Sequence, residues 1–271
     1  MDRFDRQRKI FGDEGQKRLC ATTVGIVGGG GLGSFMVLEL AYLGIGKIVI
    51  IDHDLLEESN RNRLVGAWMS HADGTPKVQI LRELGKLIDS EVEIEVIQAC
   101  IEDPEARDAL AGVDIVVGCL DHDGPRSVLN EFCCKHGLPL IDVASDTIPE
   151  EDKVAFGGRV CVATPATGCL VCFGVLDQDE LQEYYASPEQ RVDRDTIYGV
   201  PKGTLVGGGP SVITVNGVVA SIAATELMVL VTQLRAPVAH QDWRGHVGCL
   251  YRVVDHEEDC YYCSLRPVAQ E

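Results

Sequence analysis

Several stretches of the chain carry residue types that can do chemistry. The run Gly28-Gly29-Gly30-Gly31-Leu32-Gly33 places Gly28, Gly30 and Gly33 at G-x-G-x-x-G spacing. Glycines at that spacing let the backbone turn tightly and bring helix amides against an anionic group. Asp52 follows about twenty residues on, where an acid that accepts a ribose hydroxyl is expected. These features alone suit NAD, FAD or ATP equally. Arg63 in Ser59-Asn60-Arg61-Asn62-Arg63 and Lys77 in Thr75-Pro76-Lys77 break the tie, with Arg6 as a third cation. A triphosphate attacked at its α-phosphorus shifts charge onto the leaving pyrophosphate, so it needs fixed cations; a nicotinamide site does not. Arginine grips phosphate oxygens in bidentate fashion, whereas lysine acts as a point charge. The plain alternative is a solvated basic loop, which sits poorly with so acidic a chain.

Asp121 closes the apolar run Asp114–Cys119, at a strand end where a carboxylate can hold Mg²⁺ against phosphates; capping the following helix is a compatible role. Cys169-Leu-Val-Cys172 and Cys260-Tyr-Tyr-Cys263 are two CxxC knuckles. Four thiolates complete a tetrahedral zinc and leave no open position, so this zinc would be structural and would clip the C-terminal tail to the middle of the chain.

The elements that must position these residues alternate. Residues 1–20 read as a polar helix. Thr22–Val27 is a strand, Ser34–Leu43 a helix and Lys47–Ile51 a buried strand ending at Asp52. Lys77–Ile88 is an amphipathic helix introduced by Pro76, and Val92–Ile97 a strand. Asp103–Leu110 is helical, Asp114–Cys119 a strand, Gly124–His136 a helix and Leu138–Val143 a strand. Such β–α alternation predicts a doubly wound, Rossmann-like α/β sheet, mixed but mainly parallel in its N-terminal half, with a C-terminal zinc-clipped extension. Past residue 150 the pattern changes: Arg159–Ala163 is a strand candidate, and residues 177–202 form a polar, acidic, mobile crossing segment. A glycine-rich stretch at 206–210 leads into the apolar helix Val212–Leu234. That helix reads as buried or at a dimer interface rather than in a membrane, because it contains Asn216, Ser221, Thr225 and Glu226 and lacks flanking anchors.

The 271 residues include 24 Lys+Arg and 42 Asp+Glu, a formal charge of −18. Such a surface repels phosphate backbones and anionic lipids, which argues against nucleic-acid and membrane partners. The charged N-terminus has no signal-peptide core, and the 11 cysteines need not be disulfide staples in a chain of this size. A cytoplasmic location is the default expectation.

Taken together, Arg3-Phe-Asp-Arg-Gln7, GGGGLG, IDHD, SNRNR, TPK, CLD and both CxxC pairs resemble the ThiF/MoeB/HesA family, bacterial relatives of ubiquitin-activating enzymes, along nearly the whole chain. The resemblance implies Mg-ATP binding and adenylation of the C-terminal carboxylate of a ubiquitin-like or sulfur-carrier protein with a Gly-Gly tail. A conjugating enzyme or a sulfurtransferase would then act downstream. It implies that Asp52 binds ribose, that Asn60, Arg63 and Lys77 handle phosphates, and that Asp121 coordinates magnesium. Arg6 would reach into a partner subunit's active site in a homodimer. Residues 1–150 would form the nucleotide-binding part. Residues 151–271 would hold the crossover segment, carrier-binding and zinc-clip part of the same domain.

Two departures stand out. Asp121 is followed by His122 where the family has Asn. Residues 203–211 (GTLVGGGPS) contain no cysteine, although many relatives carry a thiol there. The activated carboxylate is therefore expected either to leave as the adenylate or to pass to Thr204, Ser211, Cys161 or Cys249. Two other outcomes stay open: a catalytically inactive scaffold for a ubiquitin-like partner, and a nicotinamide-dependent oxidoreductase using His53 or His122.

Overall fold

A computed structural model describes residues 2–149, 154–186, 211–254 and 260–267. It begins with helix α1 (Asp5–Ala21), bent at Gly12, followed by β1 (Thr23–Val27), α2 (Gly31–Leu43) and β2 (Lys47–Ile51). Next come α3 (Lys77–Ile88), β3 (Glu93–Ile97), α4 (Pro104–Leu110), β4 (Ile115–Gly118), α5 (Asp123–His136) and β5 (Leu140–Pro149). β6 (Val154–Ala163) and α6 (Gln178–Tyr185) precede the long helix α7 (Ile213–Thr232), then β7 (His240–Arg244), β8 (Cys249–Arg252) and a last turn, α8 (Tyr261–Ser264).

The strands form one sheet in the order β3-β2-β1-β4-β5-β6-β7-β8. The first five are mutually parallel, and β5 through β8 run antiparallel. The chain winds outward from β1 to β2 and β3, then returns to place β4 on the other side of β1. The crevice between the ends of β1 and β4 is therefore the topological switch point, where open α/β sheets bind ligands.

Strand residues alternate between two cores, as the two-residue period of a strand requires. Val24, Ile26, Ile141, Val143, Val160 and Val162 join one core with α2, α3 and α7; Val116, Leu140, Cys161 and Ala163 join the other with α4 and α5. By length and composition α7 could cross a membrane. It lies instead across β5 and β6 and against α1 and α2, which accounts for its apolar face.

Most expected elements shift by only a few residues, but β5 and β6 are longer than their apolar stretches. Their ten-residue antiparallel register runs from Leu140↔Ala163 to Pro149↔Val154. Asp177 caps α6, accepting from the amides of Asp179 and Glu180 at 2.9 Å each. The start of the crossing segment is thus helical; its remainder, with the glycine-rich stretch and Thr204, lies outside the described residues.

Candidate active site

The ends of β1, β2 and β4 and the outer half of β5 line one cleft of about 540 Å³, a volume within the range of small-molecule sites. β1 delivers Gly28, whose φ of 99° is left-handed and whose missing Cβ would stand 2.5 Å from the Cys119 carbonyl oxygen. A Cβ on Gly33 would lie 2.0 Å from the Gly28 oxygen, so bare glycine lets α2 start flush against β1. A Cβ on Gly30 would meet nothing within 4 Å. The turn is therefore open toward the cleft, at the end of a helix whose first amides have no intrahelical acceptor. Gly30 and Gly31 line that opening, while Gly33 packs behind it.

Asp52 ends β2 and is buried. Burial pushes its carboxyl up, partly offset by the Gly29 and Asp54 amides that donate to it and by the charge of Lys77. Lys77 Nζ donates to Asp54 Oδ2 at 2.7 Å, and Arg63 Nη1 donates to the Ser59 carbonyl at 2.6 Å. Both cations line the cleft beside the glycine turn. Asn60 does not: its Oδ1 accepts from the Glu57 amide at 3.1 Å and closes a short 3₁₀ turn. Arg6 is exposed on α1, away from the cleft of its own chain.

Asp121 and His122 sit on the turn between β4 and α5, exposed and lining the cleft. Asp123, by contrast, is buried and serves structure. It accepts from Arg126 Nη1 at 2.8 Å and from the Asp177 amide at 2.7 Å. Arg126 also donates Nη2 to the Leu120 carbonyl and approaches Asp142 Oδ1 to 3.5 Å with Nε. One buried guanidinium thus holds the turn that presents Asp121. Glu180 of α6 lies over the same turn, accepting from the Asp123 amide at 2.7 Å with His122 Nδ1 3.3 Å away.

Asn216, Arg126 and Arg159 were not singled out as site residues from the sequence. Asn216 is buried at the start of α7. It accepts from Ser145 Oγ at 2.8 Å and donates to Ser211 Oγ at 3.1 Å. A lone amide in an apolar helix was its available signal; Arg126 and Arg159 carry none that is local.

Of the thiols proposed as nucleophiles, Cys161 is fully buried on β6, and burial pushes its thiol well up. Cys249 is exposed on edge strand β8 and does not line the cleft. Ser211 does line it.

The four knuckle cysteines converge, with sulfur pairs at 3.7 Å (Cys169–Cys172), 3.5 Å (Cys169–Cys260) and 3.4 Å (Cys172–Cys263). Tetrahedral zinc with Zn–S bonds of ~2.3 Å requires sulfurs about 3.8 Å apart. The cluster could therefore hold zinc with shifts of a few tenths of an ångström. Cys134 packs against it as a fifth, flanking thiol.

The mixed sheet, the glycine turn at its switch point and the acid ending β2 define an α/β domain of the Rossmann-like, nucleotide-binding class. Residues 4–246 match the ThiF family, and the chain belongs to that family. It is 32% identical over 177 residues to the SAMP-activating enzyme E1 of Haloferax volcanii, covering 64% of this chain and 61% of that protein. It is 30% identical over 168 residues to the sulfur carrier protein ThiS adenylyltransferase of Escherichia coli K12, covering 61% of this chain and 63% of that enzyme. Both matches thus take in less than two thirds of the relative's length. The crystal structure of E. coli MccB with MccA-N7isoASN superposes with a TM-score of 0.76 at 21% identity, over 97% of this chain and 75% of MccB; at that identity the likeness is one of fold.

Proposed function

We propose that the chain is an ATP-dependent adenylyltransferase that activates the C-terminal carboxylate of a ubiquitin-like or sulfur-carrier protein with a Gly-Gly tail. The observation that carries this reading is a single cleft lined by two unlike groups of residues. One group is the glycine turn, Asp52, Arg63 and Lys77, with Asn216 packed against Gly31; the other is Ser145 and Asp146 of β5 and Arg159 of β6. The first group suits a nucleoside triphosphate and the second an extended polypeptide tail, and Asp121 lines the same cleft. The relatives named as SAMP-activating and ThiS-adenylylating enzymes point to the same substrate class.

In this reading Asp52 accepts ribose hydroxyls, the glycine turn receives phosphate on its amides, and Arg63 and Lys77 exchange Ser59 and Asp54 for phosphate oxygens. The carboxylate attacks the α-phosphorus and pyrophosphate leaves, its growing charge met by those cations. Asp121, exposed and held from behind by Arg126, suits a hard cation; Mg²⁺ bound there supplies charge neutralisation on the phosphates. Residues 1–150 serve the nucleotide, and residues 151–271 serve the carrier and the zinc clip. The described cysteines that line the cleft, Cys100 and Cys119, have thiols that burial pushes up and so are poor nucleophiles; in this reading the adenylate itself is the product handed onward. A cytoplasmic protein working as a homodimer completes the reading.

Carrier-dependent ATP–pyrophosphate exchange tests it. Wild-type protein should exchange only with a partner whose tail is intact, and Arg63→Ala and Asp121→Ala should lose exchange while keeping native circular dichroism. ATP binding without exchange would instead make the chain a scaffold, and normal turnover by both variants would overturn the site assignment.

A further inference from the structure

Seven acids line the cleft: Asp52, Asp54, Glu102, Asp121, Asp123, Asp146 and Glu180. A polypeptide tail arriving with its terminal carboxylate adds another negative charge to them, so it needs a cation that is free to meet it. Four cations line the same cleft. Lys77 is bonded to Asp54, and Arg63 to Ser59 and Asn62 beside the glycine turn. Arg126 donates both Nη groups, to Asp123 and Leu120, and only its Nε, 3.5 Å from Asp142, is without a hydrogen bond.

Arg159 differs. Two of its nitrogens, Nε and Nη2, are buried and have no hydrogen-bond partner among the described residues. The nearest carboxylate oxygen, Asp123 Oδ1, stands 3.9 Å away, beyond hydrogen-bond reach. The side chain keeps 22% exposure where it lines the cleft. Buried guanidinium donors without acceptors are costly, and their natural partner is a carboxylate taken in bidentate fashion. Register places Arg159 opposite Ala144 on β5, whose small side chain leaves room before it. Its neighbour Asp123 is two residues from Asp121.

We propose that Arg159 receives the terminal carboxylate of the substrate tail and holds it beside Asp121. This inference rests on the adenylation reading for the identity of the substrate, but not for the binding it asserts. The contrasting possibility is that Arg159 only balances Asp123 and Asp242, its partner on β7. A purely structural arginine would not distinguish a carboxylate from an amide.

The probe is a fluorescein-labelled synthetic peptide ending in Gly-Gly, made with a free acid or an amide terminus and titrated with AMPCPP present. Wild-type protein should prefer the acid by at least about tenfold, the loss expected for one charge-assisted hydrogen bond. Arg159→Gln should bind both peptides as wild type binds the amide, and Arg159→Lys should keep part of the preference. Equal binding of both peptides by wild type, or binding of neither, overturns the proposal. So does a preference that survives in Arg159→Gln, or an equal fall for both peptides. A preference that depends on Arg159 in a protein without pyrophosphate exchange would leave this proposal standing and remove the adenylation reading.

Discussion

Replacing Cys260 with serine tests the zinc clip most directly. Cys260 approaches Cys169 across 91 residues of sequence, and Cys263 approaches Cys172 across the same span. A cross-link closing a loop of that length removes about 4–5 kcal/mol of unfolded-chain entropy, and a metal shared by both knuckles acts in the same way. Little else fixes the described C-terminal tail: α8 is four residues long and touches mainly α5. At about 2–4 °C per kcal/mol for a chain of this size, losing the clip should lower Tm by about 8–20 °C. The assay is zinc content by elemental mass spectrometry alongside thermal unfolding, with and without a strong chelator. Native protein should carry one zinc per chain, Cys260→Ser none. Cys134→Ser should keep the metal, because the tetrahedral set excludes Cys134. Native protein that carries no zinc, or whose Tm ignores the chelator, would refute the reasoning. Metal loss from Cys134→Ser would show that the ligand set was wrongly drawn.

Gly33→Ala sets a methyl 2.0 Å from the Gly28 carbonyl oxygen, a backbone atom that cannot swing aside; it should cost about 3 kcal/mol in denaturant unfolding and abolish ATP binding by calorimetry. Glu226 lies buried in α7, where burial pushes its carboxyl up but bonds from Arg235, the Val238 amide and Gln241 outweigh this and hold it below the usual glutamate range. Its stabilising contribution is therefore present above the ordinary glutamate pKa and lost as pH falls through the lowered value. Glu226→Gln should cost about 2 kcal/mol near pH 7, a gap that closes below about pH 4 in Tm measured against pH. If Arg6 serves the partner subunit's cleft, Arg6→Ala and Asp121→Ala should each be inactive alone. Mixed and re-equilibrated, they should recover about a quarter of native exchange activity, since half the dimers are mixed and each has one intact site; no recovery would show that Arg6 does not act in the partner subunit's cleft.

What was legible in the sequence follows the range of the interactions involved. The glycine turn, Asp52 and Asp121 could be read because each sits at the end of a strand whose apolar run is continuous, next to its own helix. The two cysteine knuckles could be read because each pair is local and thiols have few other uses at that spacing. β7 and β8 could not. His240–Arg244 is mostly polar and Cys249–Arg252 is exposed throughout; they become strands because β6 offers β7 an edge and β7 offers one to β8, an interaction between distant segments that leaves no periodicity behind. The same cause hid half the cleft. β5 continues past Val143 through Ser145, Asp146 and Thr147 only because β6 pairs with it, and that pairing brings Arg159 to the cleft. Asn216 shows the dependence most sharply. Its Nδ2 would stand 2.2 Å from a Cβ on Gly31, so the glycine at 31 makes room for an amide 185 positions along the chain as well as for a ligand. A glycine run read only as a phosphate cradle therefore contains a packing constraint, and Gly31→Ala should push the Asn216 amide aside and break its bonds to Ser145 and Ser211 even where it leaves the turn's own backbone unstrained.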